Sequence, residues 1–298
     1  MPSYLVSRGF SEDVQGRWEI GWAPPGPASL TARLRSLGYP DASIVAAGLA
    51  RPGRAGRLRD VFRDRAMFAL RTADGTIAGF IGRRADDGPG PKYLNSPASA
   101  LFHKSELLFG LHESREALGR GARPVLVEGP LDSVAVVLAG HPAVATCGIA
   151  FTPGQLSALA SVADLDRTGL LVAFDGDSPG LRAARRVWRV ARGLDGPLDH
   201  ASLPPGTDPA DMLATAGPSA LREALRTSRP LLDLIVDDAL DRPLETVEAR
   251  LAAARAAASA IAASRPADAA RQVVRVAGRL DIPASLMTGI LADAASPP

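Results

Sequence analysis

Apolar positions follow two patterns along the chain. In the middle they form short unbroken runs, and towards the end they recur at helical spacing. Val125-Leu126-Val127 and Leu170-Leu171-Val172-Ala173-Phe174 have no polar interruption, as expected of strands buried on both faces. Leu198 to Leu203 predicts a further strand. Helical spacing follows the first two runs, over Leu131 to Ala139 and Leu181 to Arg192, and alternation of this kind predicts an α/β unit with a mostly parallel central sheet. The preceding half reads as mixed α+β. Ser11 is a plausible N-cap for a helix over Glu12 to Arg17, and a second helix is expected over Leu30 to Leu37. Phe68 to Leu70 and Thr76 to Ile81 predict a hairpin around Asp74-Gly75. Pro52 to Arg59 is dominated by Gly, Pro and Arg and predicts a mobile basic loop, with another loop over Asp86 to Pro91. Phe10, Trp18, Ile20 and Trp22 read as packing residues. From Pro230 the pattern turns to Ala- and Arg-rich helices over Leu231 to Leu240, Leu244 to Ser264, Ala267 to Leu280 and Pro283 to Ala294, with Pro243, Pro266 and Pro283 marking starts. The expected division is a basic subdomain over 1–122, an α/β domain over 123–228 and a small helical subdomain over 229–298.

The strand runs end in acid. Glu128-Gly129-Pro130 follows the first, and Asp175-Gly176-Asp177-Ser178-Pro179-Gly180 follows the second. Ligands of open α/β sheets bind outside the carboxyl ends of the strands, so Glu128, Asp175 and Asp177 can face one site. Carboxylate oxygens suit a hard cation, and the interspersed glycines let a metal or phosphate approach the backbone. Each motif alone also reads as a turn or an N-cap. Their shared position at strand-to-helix junctions favours a magnesium-binding cluster.

Charge sharpens this picture. The 298 residues carry a net charge of only +2, but residues 1–124 hold 18 Lys and Arg against 12 Asp and Glu, leaving 16 against 20 beyond them. A basic half joined to an acidic half suits a polyanion track beside a metal site. Lys92 and Lys104 are the only lysines. Arg182, Arg185, Arg186 and Arg189 form one stripe on a helix, which either binds phosphate or faces solvent. Cys147 is the single cysteine, so the chain builds no disulfide framework and no Cys-rich zinc site, and the four histidines lack metal-ligand spacing. No apolar run approaches the roughly 20 residues of a membrane span, and no signal core opens the chain. A cytoplasmic protein without membrane contact is expected.

Val127-Glu128-Gly129-Pro130-Leu131-Asp132 and Phe174-Asp175-Gly176-Asp177-Ser178-Pro179-Gly180 resemble the two signatures of the TOPRIM fold. Three upstream stretches resemble, in order and spacing, the basic half of the catalytic core of bacterial DnaG-type primases. They are Phe62 to Phe68, Gly79 to Arg83, and Pro91-Lys92-Tyr93-Leu94-Asn95-Ser96-Pro97 with Phe102-His103-Lys104. The resemblance runs from about Tyr4 to the carboxyl-terminal helices. It implies a TOPRIM domain between a basic subdomain and a helical one, acting as a nucleotidyltransferase of the DNA primase type. Such an enzyme makes short RNA primers from ribonucleoside triphosphates on single-stranded DNA. By resemblance, Mg2+ or Mn2+ is held by Glu128, Asp175, Asp177 and Asp208, and Glu128, Asp132, Asp175 and Asp177 are the catalytic set, with Glu128 either a ligand or the general base. Asp208 stands before Pro209, where an N-cap role is equally open, and Pro205 occupies the place of the family's acid before the glycine. Arg63, Arg65, Arg83, Lys92, Tyr93, Asn95 and Lys104 would hold template and nucleotide. The residues present resemble neither the zinc-binding nor the helicase-binding domain of full-length primases, so a separate zinc-binding partner and a replicative helicase are candidate companions.

Other readings compete. A haloacid-dehalogenase-like phosphatase needs a lysine after its Asp-x-Asp, and none follows Asp177. A partner-dependent or noncatalytic single-stranded-DNA-binding replication module has no need of the acids, which repel DNA unless metal occupies them. A TOPRIM nuclease keeps the acids but has no use for the Lys92 to Lys104 stretch.

Overall fold

The computed structural model describes residues 3–53, 56–84, 90–148, 150–175 and 178–295. The amino-terminal half opens with α1 (Ser3–Ser7), α2 (Glu12–Arg17), β1 (Gly21–Ala23), α3 (Ser29–Ser36) and α4 (Asp41–Ala46). The strands β2 (Ala50–Pro52), β3 (Leu58–Asp60), β4 (Arg65–Arg71), β5 (Ile77–Arg84) and β6 (Tyr93–Asn95) follow. The sheet β1-β4-β5-β6 is antiparallel throughout. Its central hairpin closes where expected: Gly75 takes φ 97°, a left-handed conformation, and donates to the Thr72 carbonyl at 2.9 Å. The ends of the expected basic loop are strand instead, since β2 and β3 pair antiparallel from Ala50–Asp60 to Pro52–Leu58, and residues 54–55 between them lie outside the described residues. Strands of three residues are too short to show alternation, so composition alone misled there. Most of the loop expected over Asp86 to Pro91 lies outside the described residues.

After α5 (Leu111–Gly119) the pattern alternates through β7 (Val125–Val127), α6 (Pro130–Leu138), β8 (Ala143–Ala145), α7 (Pro153–Ala160), α8 (Leu165–Thr168) and β9 (Leu170–Val172). It continues through α9 (Ser178–Ala191), β10 (Leu198–Ala201), α10 (Pro209–Arg226) and β11 (Ser228–Pro230). The second sheet has the order β11-β10-β9-β7-β8 and is parallel except at β11. The inner strand β7, paired on both sides, is covered on both faces, which is why Val125, Leu126 and Val127 are all apolar and at most 1% exposed. Gly217, with φ 81°, ends the first half of α10, and Pro218 starts the second.

The helices α11 (Leu231–Leu240), α12 (Val247–Ile261), α13 (Pro266–Leu280) and α14 (Ala284–Ala295) complete the fold. Pro266 starts α13 as expected, whereas α12 is capped by the Thr246 hydroxyl, which accepts from the Ala249 N–H, and so begins well after Pro243. Ala253, Ala254, Ala257 and Ala258 are fully buried and let α12 nest among its neighbours. This bundle shares a hydrophobic cluster with Leu126, Leu170 and Val172 on one face of the second sheet.

The opposite face shares its cluster with the first sheet. Trp18 stacks on Phe109 with centroids 5.5 Å apart, Phe68 meets Phe109 edge-on at 5.9 Å, and Phe10, Ile81, Val127 and Val134 fill the same core. Arg8 joins the chain start to α10 through Asp211 at 2.5 Å. A joint therefore forms between the sheets, beside the carboxyl end of β7. Among the described residues no helix is long and apolar enough to cross a membrane.

Candidate active site

The carboxyl ends of β7 and β9 and the start of α10 open onto one cleft of about 470 Å³, lined by Glu128, Asp132, Asp175 and Asp208 together with Lys92 and Tyr93. Glu128 directly follows β7 and is exposed. Asp175 stands three residues beyond β9 and is half-buried. Asp208 caps α10, its Oδ1 accepting from the Asp211 N–H at 2.6 Å, and lines the cleft at the same time. The N-cap reading of this residue therefore holds, and the cap leaves its carboxylate at the cleft. Asp177 lies outside the described residues.

Asp132 occupies the first turn of α6 and is 7% exposed. Its Oδ2 accepts from the Gly129 N–H at 3.0 Å and its Oδ1 from the Ala210 N–H at 3.4 Å, so one carboxyl ties α6 to the start of α10. Burial, and then the carboxylates of Asp208 and Asp175, push its pKa up to about 8. The cleft thus crowds negative charge around a carboxyl that holds its proton at neutral pH.

Among the described residues lining the cleft the side chains able to ligate a cation offer oxygens, and that crowding of carboxylates is what a bound divalent cation relieves. Among the described residues no group of three forms a ligand cluster. The set fits the magnesium habit of one or two carboxylates completed by substrate phosphates.

The basic residues expected from the sequence divide. Lys92 is exposed at the cleft, and the Tyr93 ring beside it has the Arg83 guanidinium 5.9 Å from its centroid. Arg83 itself is only 7% exposed. Arg65 is 6% exposed and donates to the carbonyls of Gly82 at 3.0 Å, Pro91 at 2.9 Å and Lys92 at 3.2 Å, so it ties β5 to the start of β6. Arg63 donates to the Asp60 carbonyl at 2.7 Å. Asn95 Nδ2 donates to the Cys147 carbonyl at 3.2 Å, and its Oδ1 is buried without a donor among the described residues. Lys104 Nζ reaches the Gly148 carbonyl at 3.4 Å, and burial lowers its pKa. Arg63, Arg65, Arg83, Asn95 and Lys104 thus surround the cleft rather than line it.

Three cleft residues were left open by the sequence: Arg182, Arg186 and Arg189 of α9 line the wall next to Asp175. Their helical stripe was visible, and the signal for its use was its position directly after the second acid motif.

Residues 1–115 match the family described as DNA primase catalytic core, N-terminal domain, and residues 125–213 match the family described as Toprim-like. The RNA polymerase domain of Mycobacterium tuberculosis primase DnaG superposes with a TM-score of 0.83 at 33% identity, over 93% of this chain and 90% of that one. The chain belongs to the DnaG-type primase family. A DnaG primase catalytic domain bound to single-stranded DNA is similar with a TM-score of 0.78 at 29% identity, over 95% of this chain and 90% of that one. The DNA primase of Streptomyces coelicolor is 33% identical over 287 residues, which is 94% of this chain and 44% of the relative. The chain thus spans less than half the length of the curated relatives it matches, and its DnaG-type fold places the first sheet and the TOPRIM sheet on either side of the cleft.

Proposed function

We propose that this chain is the primer-synthesising core of a DnaG-type primase, a DNA-directed nucleotidyltransferase that joins ribonucleotides on single-stranded DNA. The observation that carries this reading is the meeting of Glu128, Asp175 and Asp208 with Lys92 and three α9 arginines in one cleft between the two sheets. Cations on its walls would hold the triphosphate and the template backbone, and Tyr93 offers an aromatic face to a base or ribose. In the reaction the 3′ oxygen of the growing primer bonds to the α-phosphorus, the bond from that phosphorus to the leaving pyrophosphate breaks, and the hydroxyl proton passes to a base. Glu128, the exposed carboxylate, either accepts that proton or shares with Asp175, Asp177 and Asp208 in holding the cation. Mg2+ or Mn2+ bound there would lower the hydroxyl's pKa and neutralise charge on the leaving group. Asp132, protonated and tied to two backbone N–H groups, keeps α6 and α10 in register beneath the site. The work of such an enzyme on its template is placed in the cytoplasm.

The test is primer synthesis by the purified chain on single-stranded DNA with ribonucleotides and Mg2+ or Mn2+, alongside Glu128→Gln and Asp175→Asn. RNA product from the parent and none from the variants supports the proposal. Binding without synthesis turns the assignment to a replication accessory module, and cleavage of the template to a nuclease.

A further inference from the structure

A second cavity, of about 460 Å³, lies behind the catalytic cleft, between α9 on one side and α11 with α12 on the other. Arg182 and Arg189 belong to both cavities, so the two are continuous over α9. The rear groove adds Arg185 and Arg192, and no acid is among its lining residues. Four arginines in one groove whose lining holds no carboxylate are unexpected in the half of the chain that carries more acid than base, and only Arg185 reaches an acid beyond that lining.

The use made of these side chains narrows their role. Arg185 is paired with Asp238 of α11. Arg182, Arg189 and Arg192 are exposed and have no ion pair or side-chain hydrogen bond among the described residues. The opposite wall is apolar and small, with Ser259, Ala260 and Ala263 of α12 and its following turn leaving room above the arginines. From Arg182 to Arg192 the stripe covers about 15 Å at the rise of an α-helix, the reach of a few successive phosphates. A stripe that served solubility alone would not need to run unbroken from the catalytic carboxylates into a groove.

We infer that the groove between α9 and α12 is a track for single-stranded nucleic acid continuing out of the catalytic cleft, with Arg182, Arg189 and Arg192 contacting successive phosphates. The inference rests on the primase reading and extends it to a surface on the helical subdomain. The contacts are to phosphate and are therefore independent of sequence. They also offset the repulsion that the cleft's carboxylates exert on the strand.

The experiment uses thymidine oligonucleotides of two lengths, one short enough to fill only the cleft and one roughly twice as long, with affinity measured against salt concentration. Arg192→Ala, which lies outside the catalytic cleft, is compared with the parent and with Arg192→Lys. Loss of one phosphate contact reduces the slope of log affinity against log salt by about 0.7, which near 0.1 M salt is about fivefold in affinity. That loss is expected for the long oligonucleotide only, with restoration of most of it by Arg192→Lys and with primer synthesis on a short template unchanged. Equal affinity and slope for parent and Arg192→Ala on the long oligonucleotide overturns the track while leaving the primase reading intact. Failure of the parent to bind either oligonucleotide overturns the primase reading itself.

Discussion

Asp132 gives the protein a pH dependence opposite to that of an ordinary salt-bridged carboxylate. Its folded pKa of about 8 lies far above the usual 3.8, because burial and the neighbouring Asp208 and Asp175 carboxylates disfavour the charge. Between these two values the folded chain holds a proton that the unfolded chain has lost, so stability falls as pH rises through that window. One proton changes the unfolding free energy by about 1.4 kcal/mol per pH unit, which over the whole window amounts to an upper bound of roughly 6 kcal/mol. Asn is a neutral isostere of the protonated acid and keeps an oxygen for the Gly129 or Ala210 N–H. In metal-free buffer, urea unfolding from pH 5 to pH 8 is expected to show a decline for the parent and a flatter profile for Asp132→Asn, with the gap widening towards pH 8. Added Mg2+ should narrow the gap by stabilising charge in the cleft. Parallel profiles for parent and variant would refute the protonated assignment.

Three further outcomes follow from the same geometry. Asp60 is 2% exposed and accepts from Leu30 N–H at 2.7 Å, Thr31 N–H at 2.9 Å and the Thr31 hydroxyl at 2.5 Å, capping α3 from β3. Asp60→Ala strands three donors and is expected to cost about 4 kcal/mol by urea unfolding, with Asp60→Asn in between. Arg65→Ala should cost about 2 kcal/mol of stability because three carbonyls lose their donor, whereas Lys92→Ala should leave stability within about 0.5 kcal/mol and weaken oligonucleotide binding. A stable Arg65→Ala with the binding defect of Lys92→Ala would return Arg65 to the phosphate contacts. A Cβ on Gly129 would stand 3.0 Å from Asp132 Oδ2 and 3.0 Å from the Tyr93 hydroxyl, so Gly129→Ala is expected to cut primer synthesis roughly tenfold with little change in the unfolding midpoint.

What the sequence disclosed was governed by local rules. The parallel strands show as apolar runs because both their faces are covered, and the acids show because a strand's carboxyl end is a fixed address in this kind of sheet. Asp60 and Arg65 were opaque for a different reason. Apart from the Thr31 hydroxyl their partners are backbone groups up to 30 residues away, and backbone donors and acceptors leave no mark on a sequence. The resemblance assigned Arg65 to template and nucleotide, and from the sequence an arginine looks the same whether it faces a ligand or the three carbonyls it meets here. Pro243 misled because proline can precede a helix by several residues while the capping hydroxyl, here Thr246, fixes its start. The α9 arginines were visible as a stripe, but only the fold shows that α9 runs along the cleft wall.

The placing of Glu128 depends on the joint between the sheets as much as on its own strand. Beyond β7 and β8 the ladder continues, with Thr146 N–H donating to the Val127 carbonyl at 3.2 Å and Cys147 N–H to the Glu128 carbonyl at 3.0 Å. Cys147 then turns left-handed at φ 60°, a conformation that costs a residue with a Cβ about 1 kcal/mol. The turn brings its carbonyl to Asn95 and the next one to Lys104, both from the amino-terminal half. Two side chains that the resemblance assigned to nucleic acid thus clamp the backbone that holds Glu128, the proposed catalytic carboxylate. They fix Glu128 relative to Lys92 and Tyr93 on the facing sheet. A basic half that only bound polyanion would not need this strained contact. A site that holds a triphosphate against an attacking hydroxyl, as proposed for this cleft, would need it, because both sheets supply its walls and a displacement of about 1 Å between them is enough to lose the reaction geometry.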